Sequence, residues 1–221
     1  MSEQLELYSY WRSTAAYRVR IGLGLKGLNA RIVPVHLVRD GGEQFSEEYS
    51  RLNPQQLVPA LVDHGNVITQ SMAILEYLDE RFPSTRLLPD QPLARARVRS
   101  LSQLIACDIH PVNNLRVLKY ITGTLGADEN ARTGWIHHWI NQGLDALESR
   151  LAGEPETGAF CHGDAAGMAD CCLLAQIYNA RRFECELSRW PVIMDICRRL
   201  EQLPAVQAAM PENQPDAPGV Q

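Results

Sequence analysis

The side chains best suited to chemistry lie close together near the amino terminus, where Arg12, Ser13 and Thr14 follow one another. The spacing of the apolar residues after them predicts an amphipathic helix that begins at this point. The first N–H groups of a helix have no partner within the helix, and the helix dipole favours negative charge beside them. Two hydroxyl groups and a guanidinium there could hold a thiolate and a carboxylate together. Ser13 could also be no more than an N-cap, the usual role of a serine that begins a helix.

The first part of the chain alternates strand and helix signals around that helix. A strand at 5–9 precedes the helix, and the apolar run at 30–37 predicts a second strand in which Pro34 indicates an edge position. The predicted order is βαβ, then a short helix, then ββα. The remaining predicted elements are a helix at 46–52, strands at 56–63 and 67–69, and a helix that follows Gln70 and Ser71.

The character of the chain changes near Phe82, where a proline-rich stretch predicts a linker. Nearly every later segment has helical spacing, so we expect a small α/β domain followed by an all-helical one. The predicted helices lie at 93–122, 130–152, 167–183 and 190–203, with a shorter one after Pro204. The predicted division is an α/β domain at 1–83, a linker at 84–92, a helical domain at 93–210 and a loose tail at 211–221.

The composition is that of an ordinary globular protein of 221 residues, 45% hydrophobic and 21% charged. The formal net charge of -5 argues against a nucleic-acid-binding protein, because contacts with phosphates need a basic face. No apolar run reaches the roughly 20 residues that span a bilayer. The amino terminus lacks a signal-peptide pattern, so we expect a cytoplasmic protein without membrane or nucleic-acid partners.

The cysteines do not indicate a metal site. None belongs to a Cys-x-x-Cys pair, and none has histidine partners at zinc spacing. Cys171 and Cys172 are adjacent within an apolar stretch, which favours small core side chains. We therefore predict no metal.

Several motifs resemble those of the cytosolic glutathione transferases, and of the zeta class in particular. That class has the signature Arg-Ser-Ser-Cys-x-x-Arg-Val-Arg-Ile, and the chain has Arg-Ser-Thr-Ala-Ala-Tyr-Arg-Val-Arg-Ile from Arg12 to Ile21. Thr14 and Ala15 thus replace a serine and a cysteine, and without that sulfur covalent capture at residue 15 is excluded. The other matching stretches are 52–59, 107–114 and 179–183, and the similarity extends from about Leu5 to Pro215.

The resemblance implies a thioredoxin-like domain with a cis peptide before Pro59, an all-helical second domain, glutathione as cofactor and a homodimer. It implies that Ser13, or else Thr14, stabilises the glutathione thiolate. For His110, a capping or core role is as good an interpretation from the sequence alone. The other residues implied to bind glutathione are Gln44, Val58, Pro59, Gln70, Ser71, His110 and Asn114.

The zeta class includes maleylacetoacetate isomerase and maleylpyruvate isomerase, whose substrates are dianions. Arg12 and Arg182 are the implied partners of the substrate carboxylates, and Arg116, placed on the same predicted helix as His110, is a further candidate. Arg181 and Arg182 could instead be a solvated pair or could form a salt bridge with Glu184.

The implied activity is conversion of maleylacetoacetate to fumarylacetoacetate in aromatic catabolism. It would proceed by addition of the thiolate to the double bond, rotation and elimination. Maleylpyruvate isomerisation in the gentisate pathway is an alternative, as is a general glutathione transferase or dehalogenase. A non-catalytic binding module is the remaining alternative.

Overall fold

The computed structural model describes residues 5–219 of the chain. These residues form two compact units. The first unit contains residues 5–87 together with 202–219, and the second contains residues 88–201.

The first unit is built on a four-stranded sheet with the order β2-β1-β3-β4. Strand β1 is parallel to β2 and antiparallel to β3, and β3 is antiparallel to β4. The predicted order βαβ, α, ββα is confirmed. The elements are β1 (Leu5–Ser9), α1 (Thr14–Leu25), β2 (Ala30–Pro34), α2 (Glu47–Leu52), β3 (Ala60–Asp63), β4 (Asn66–Thr69), α3 (Ser71–Arg81) and α9 (Pro204–Ala209), with short 3-10 turns at Arg39–Gly41, Glu43–Phe45 and Pro211–Asn213.

Apolar residues cover both faces of this sheet. Because side chains alternate along a strand, Leu5 and Leu7 of β1 share one face, where they pack with Val19 of α1 and Ile74 of α3. A second cluster contains Tyr10, Val35, Tyr49 and Val58. The sheet therefore holds the loops at its ends on a rigid support.

Two strands are shorter than predicted, and a proline bounds each of them at the shortened end. Strand β2 stops at Pro34 and β3 begins after Pro59, because proline has no N–H to donate to the ladder. The predicted edge position of Pro34 is confirmed, since β2 is an edge strand. The Val58–Pro59 peptide is cis, as the family resemblance implied.

The second unit is helical, as expected. Its helices are α4 (Pro92–Gln103), α5 (Leu115–Gly123), α6 (Glu129–Gly153), α7 (Met168–Arg182) and α8 (Pro191–Leu200), with a π-helical segment at Leu104–Ile109 and 3-10 turns at Pro111–Asn113 and Leu187–Arg189. Cys171 and Cys172 are buried in α7, which confirms their predicted place in the core.

The single helix predicted at 93–122 is wrong. The chain there forms α4, the π-helical segment, a 3-10 turn and then the separate helix α5. Pro111 explains the break, because it lacks an N–H and its ring clashes with the preceding turn of a helix. His110 and Arg116 consequently lie on different elements.

The carboxy-terminal residues differ from the predicted division. Residues 202–210 belong to the first unit rather than to the helical one. Residues expected to be loose also make long-range contacts, since Asp216 Oδ2 accepts a hydrogen bond from the Trp11 N–H at 2.9 Å. The proline-rich composition predicts a loose tail because proline disfavours helices and strands locally, but composition carries no information about contacts with distant segments.

Among residues 5–219, no helix is both long enough and apolar enough to cross a bilayer. In the same part of the chain, no three His, Cys, Asp or Glu side chains are grouped so as to hold a metal ion.

Candidate functional site

The site begins at the amino-terminal end of α1, where Ser13 is the N-cap. Its Oγ accepts a hydrogen bond from the Ala16 N–H at 3.2 Å, and its own N–H donates to the Tyr10 carbonyl at 2.9 Å. The N-cap interpretation is thus confirmed, but it does not use the whole hydroxyl group. A hydroxyl has one hydrogen to donate besides its lone pairs, so Ser13 can accept from the helix and still donate to an anion.

The two neighbours of Ser13 occupy different environments. Thr14 is the first residue of α1 and is buried. Arg12 is half-buried, and its guanidinium lies 5.3 Å from the centroid of the Trp11 ring. The first turn of α1 contains no acidic residue, so nothing in that turn neutralises the positive end of the helix.

A second helix start, that of α3, is also without an acid in its first turn. Gln70 is the N-cap residue, with φ at +71°, but its side chain makes no capping bond. Its Nε2 donates instead to Gln55 Oε1 at 2.7 Å. Ser71 is buried, and its Oγ accepts from Arg18 Nη1 at 3.3 Å. The N–H groups that begin α3 and the nearby guanidinium together favour an anion.

The segment before β3 presents Val58 next to the cis peptide of Pro59. Two donors meet at the preceding carbonyl oxygen, that of Leu57: Tyr49 Oη at 2.6 Å and Asn53 Nδ2 at 2.7 Å. Burial raises the pKa of Tyr49 to about 12, so the phenol stays protonated and keeps donating at neutral pH. These bonds fix the backbone that leads into Val58.

Gln44 is buried in the loop between β2 and α2. Its Nε2 donates to the Leu37 carbonyl at 3.4 Å, and within residues 5–219 its Oε1 has no hydrogen-bond partner. An amide nitrogen carries two hydrogens, so one remains for a ligand carboxylate.

The strand register brings the residues of the first unit to one end of the sheet. Tyr8, near the end of β1, is paired with Ala60 at the start of β3, and Ala60 is paired with Thr69 at the end of β4. The segments that follow β1, precede β3 and follow β4 therefore leave the sheet at the same end. Those segments contain Ser13, Val58 and Gln70, which the sequence placed far apart.

In the second unit, His110 and Asn114 lie on either side of the 3-10 turn that follows the π-helical segment. The His110 N–H donates to the Ile105 carbonyl at 3.0 Å. Asn114 is the N-cap of α5, and its Oδ1 accepts from the Arg116 N–H at 3.1 Å. The Arg116 side chain is exposed on that helix.

Arg182 is exposed in the last turn of α7, with its guanidinium 4.9 Å from the centroid of the Phe183 ring. The adjacent Arg181 forms an ion pair with Glu201. A salt bridge of Arg181 with Glu184, one of the sequence alternatives, is not the arrangement observed.

Sequence reasoning missed Arg18 and Arg20 as contributors to the site. Both are buried on α1, and each donates to groups in or beside the segments described above. The signal was present in the sequence: two arginines interrupt an otherwise apolar helix, and a buried guanidinium needs several acceptors.

Comparisons with known proteins agree with this geometry. Residues 3–80 match the family model described as the glutathione S-transferase N-terminal domain. A probable maleylacetoacetate isomerase from Vibrio cholerae is 48% identical over 213 residues, which cover 96% of this chain and 98% of that protein.

Solved structures give the same result. The holo structure of a bacterial maleylpyruvate isomerase, a zeta-class glutathione S-transferase, has a TM-score of 0.92 and 43% identity, covering 96% of this chain and 99% of that one. A maleylacetoacetate isomerase from Methylobacterium extorquens AM1, crystallised with malonate and glutathione, has a TM-score of 0.92 and 40% identity, covering 97% and 100%. The chain therefore belongs to the glutathione S-transferase family, in its zeta class.

Proposed function

We propose that the protein is a glutathione-dependent cis–trans isomerase that converts maleylacetoacetate to fumarylacetoacetate in aromatic catabolism. The observation that carries this proposal is the strand register, which places Ser13, Val58 and Gln70 at one end of the sheet. The relatives named maleylacetoacetate isomerase support the choice of substrate.

The residues of the first unit fit glutathione. The start of α3 has no acid in its first turn and no side-chain cap from Gln70, so the positive end of its helix dipole favours a carboxylate there. Val58, which precedes the start of β3, offers its peptide group to the cysteinyl part in the manner of an added strand. Gln44 is assigned to the glycyl end, and Ser71 joins Gln70 at the γ-glutamyl end. His110 and Asn114 are the further glutathione contacts that we assign in the second unit.

When bound, glutathione supplies a nucleophilic sulfur whose reversible addition lets the carbon–carbon bond rotate. Ser13 stabilises the thiolate form of that sulfur by donating a hydrogen bond from its hydroxyl, with Thr14 as the second candidate. A free thiol has a pKa of about 8.5, and lowering it by one unit needs about 1.4 kcal/mol. A charge-assisted hydrogen bond contributes roughly 1.5–3 kcal/mol, so one hydroxyl and the start of α1 are sufficient.

We assign the substrate carboxylates to Arg12, Arg116 and Arg182. A guanidinium pairs with a carboxylate through two parallel hydrogen bonds and keeps its charge at any physiological pH. Arg182 is exposed in the last turn of α7. The same cations stabilise negative charge that develops on the substrate during the reaction.

Maleylpyruvate isomerase of the gentisate pathway is the second candidate, because the zeta-class structure at 43% identity is such an enzyme. Steady-state assays of the purified protein on both substrates, with and without glutathione, decide between them. We expect turnover of maleylacetoacetate that requires glutathione and is inhibited by small dicarboxylates. Turnover of neither substrate would contradict the proposal. Conjugation of neutral electrophiles that dicarboxylates do not inhibit would indicate a general transferase or dehalogenase.

The adjacent arginines of α7 provide a matched pair of variants. We expect Arg182→Ala to raise KM for the diacid about tenfold, by loss of roughly 1.5 kcal/mol of charge-assisted binding, with little change in KM for glutathione. Arg181→Ala removes a surface ion pair and should change KM less than twofold. Equal effects of the two substitutions would remove Arg182 from the substrate site.

We further propose that the protein works as a cytoplasmic homodimer. The resemblance to the cytosolic glutathione transferases supports both the location and the dimer. Sedimentation equilibrium of the purified protein tests the dimer directly, since a monomer at micromolar concentration would contradict it.

A further inference from the structure

The loop between β1 and α1 is held by two side chains that have no place in the proposed chemistry. This loop, together with Ser9 at the end of β1, comprises residues 9–12 and leads directly into Ser13. One of the side chains is Arg20, in the second turn of α1, and the other is Asp216, near the end of the described residues.

Arg20 is buried, and its guanidinium donates to both the loop and the carboxy-terminal segment. Nη1 donates to Ser9 Oγ at 3.1 Å and to the Tyr10 carbonyl at 3.4 Å, and Nη2 donates to the Trp11 carbonyl at 2.9 Å. Nε donates to the Ala209 carbonyl at 3.1 Å, at the end of α9. One buried cation thus fixes three successive residues of the loop and joins them to the carboxy-terminal segment.

Asp216 holds the same loop by accepting a hydrogen bond from a backbone N–H of the loop. Its Oδ2 accepts the Trp11 N–H at 2.9 Å, so both the N–H and the carbonyl of Trp11 are engaged, the carbonyl by Arg20. Its Oδ1 is buried and has no hydrogen-bond partner within residues 5–219. A buried carboxylate oxygen without a hydrogen bond carries the full desolvation penalty, so this contact contributes little to the stability of the fold.

The segment that carries Asp216 is itself a packed structure. Gly24 of α1 lies so close to α9 that a Cβ there would be 2.8 Å from the Ala205 carbonyl oxygen. Gln214 is buried, and its Nε2 donates to the Ala208 and Met210 carbonyls at 3.1 and 2.9 Å. The position of Asp216 is therefore defined by contacts within the segment and with α1.

We infer that Arg20 and Asp216 are positioning residues that set the place of the Ser13 hydroxyl by clamping residues 9–12 against the carboxy-terminal segment. The Ser13 N–H donates to the Tyr10 carbonyl, so a shift of the loop moves the N-cap with it. An oriented hydroxyl stabilises an anion only while its hydrogen points at the sulfur. The inference rests on the proposed role of Ser13 as the partner of the glutathione sulfur.

The test uses Asp216→Ala in the full-length protein, with Asn213→Ala as the matched control. Asn213 lies in the same segment, and its Nδ2 donates to the Gln207 carbonyl at 2.7 Å, within the segment. We expect Asp216→Ala to lower kcat about tenfold with little change in KM, and to shift the ultraviolet titration of bound glutathione thiolate to higher pH. We expect Asn213→Ala to change kcat less than twofold. Wild-type kcat and thiolate titration in Asp216→Ala would overturn the inference, whatever happens to its Tm.

A double-mutant cycle separates this inference from the role of Ser13. If Asp216 acts through Ser13, then Asp216→Ala should lose its tenfold effect in a Ser13→Gly background. If Ser13→Gly alone reduces activity and Asp216→Ala does not, only the clamp is wrong. If Ser13→Gly alone leaves activity unchanged, the proposed thiolate partner is wrong. Undiminished additivity of two large effects would show that Asp216 acts elsewhere.

Arg20→Lys provides a second variant that keeps the charge. Lysine has no planar fork and cannot reach the same set of acceptors, so we expect a fall in kcat in the same direction as Asp216→Ala. Faster amide exchange at Ser13 in Asp216→Ala would show that the loop itself was released, since the Ser13 N–H donates to the Tyr10 carbonyl and not to Asp216; unchanged exchange there would contradict the clamp.

Discussion

The starts of α7 and α8 in the second unit are satisfied in a different way from the starts of α1 and α3 in the first unit. In the second unit, α7 and α8 receive acids from the chain itself: Asp170 accepts the Gly167 N–H at 2.8 Å and the Cys161 N–H at 2.9 Å. Glu148 of α6 accepts the Val192 and Ile193 N–H groups of α8, each at 2.9 Å. In the first unit, α1 and α3 have no acid in their first turns.

This difference separates a structural helix start from one prepared for a ligand. Burial raises the pKa of Asp170 above its usual value, which shows that placing an acid inside the fold is costly even where two N–H groups stabilise it. The chain accepts that cost at α7, where the helix is almost wholly buried. At α1 and α3 the positive ends are left to an anion from outside, such as the sulfur and a carboxylate of glutathione.

Removal of the Ser13 hydroxyl should have the largest effect. Ser13→Gly and Ser13→Ala both delete it, so we expect kcat/KM to fall about 10- to 100-fold in each, by loss of roughly 1.5–3 kcal/mol. Glycine is tolerated as an N-cap to within a few tenths of a kcal/mol, whereas alanine costs about 1 kcal/mol of stability. Enzyme kinetics and thermal unfolding of both variants separate the two roles.

If kcat/KM fell only in Ser13→Ala, the less stable variant, the thiolate role of Ser13 would be contradicted and Ser13 would be an N-cap alone. Thr14→Val is the matched control, because valine keeps the shape of threonine without its hydroxyl. We expect it to change kcat/KM less than threefold, a modest effect compared with loss of the Ser13 hydrogen bond. A larger effect in Thr14→Val than in Ser13→Gly would move the thiolate role to Thr14.

Asp170→Asn tests the acid-capped start of α7. The amide presents N–H groups to one of two backbone donors, so we expect a loss of about 2 kcal/mol and a fall in Tm of about 4–8 °C. Glutathione affinity at 25 °C should stay unchanged, because this acid supports the fold alone. The control Asp195→Asn removes an exposed carboxylate paired with Arg198 and should cost less than about 0.5 kcal/mol. A change in glutathione affinity without a change in Tm would show that Asp170 serves ligand binding and not the stability of the fold.

Glu148→Gln should have a smaller effect at the start of α8. Glutamine keeps one oxygen for one of the two N–H groups, so we expect a loss of about 1 kcal/mol. Denaturant unfolding with an unchanged m-value measures it. Wild-type stability would show that the start of α8 does not depend on an acid.

An acid added at the start of α3 should have the smallest effect, raising the stability of the helix while lowering the affinity for glutathione. Ala73 is exposed in the first turn, and Ala73→Glu should stabilise the helix by roughly 0.3–1 kcal/mol while it repels a bound carboxylate. We therefore expect the Kd for glutathione, measured by calorimetry, to rise about two- to fivefold. Ala73→Gln controls for size. Tighter binding in Ala73→Glu would refute an anion site at α3.

Much of the first unit could be predicted from local patterns. The start of α1 at Ser13 and the edge position of Pro34 were both readable because capping and the lack of a proline N–H act within a few residues. The break after His110 was written in the sequence too, since Pro111 cannot continue a helix, but the strong helical spacing on either side concealed it.

Long-range partners could not be predicted. The structure buries Lys26, the C-cap residue of α1, beside Asp79, with its Nζ 3.6 Å from Asp79 Oδ1 and donating to the Phe82 carbonyl at 2.9 Å. Trp11 and Asp216 are separated by 205 residues, and nothing in the periodicity of either segment points to the other.

The sequence by itself determined where α1 begins, the order of strands and helices along the first unit, and which residues carry hydroxyl, amide and guanidinium groups. Those features depend on neighbouring residues along the chain, so a linear pattern contains them. Only the tertiary structure decided that Ser13, Val58 and Gln70 meet at one end of the sheet and that Arg20 and Asp216 hold the loop before Ser13. The pairing of β1 with β3 and the partners of buried charges arise from packing between segments that are distant along the chain, which no local spacing encodes.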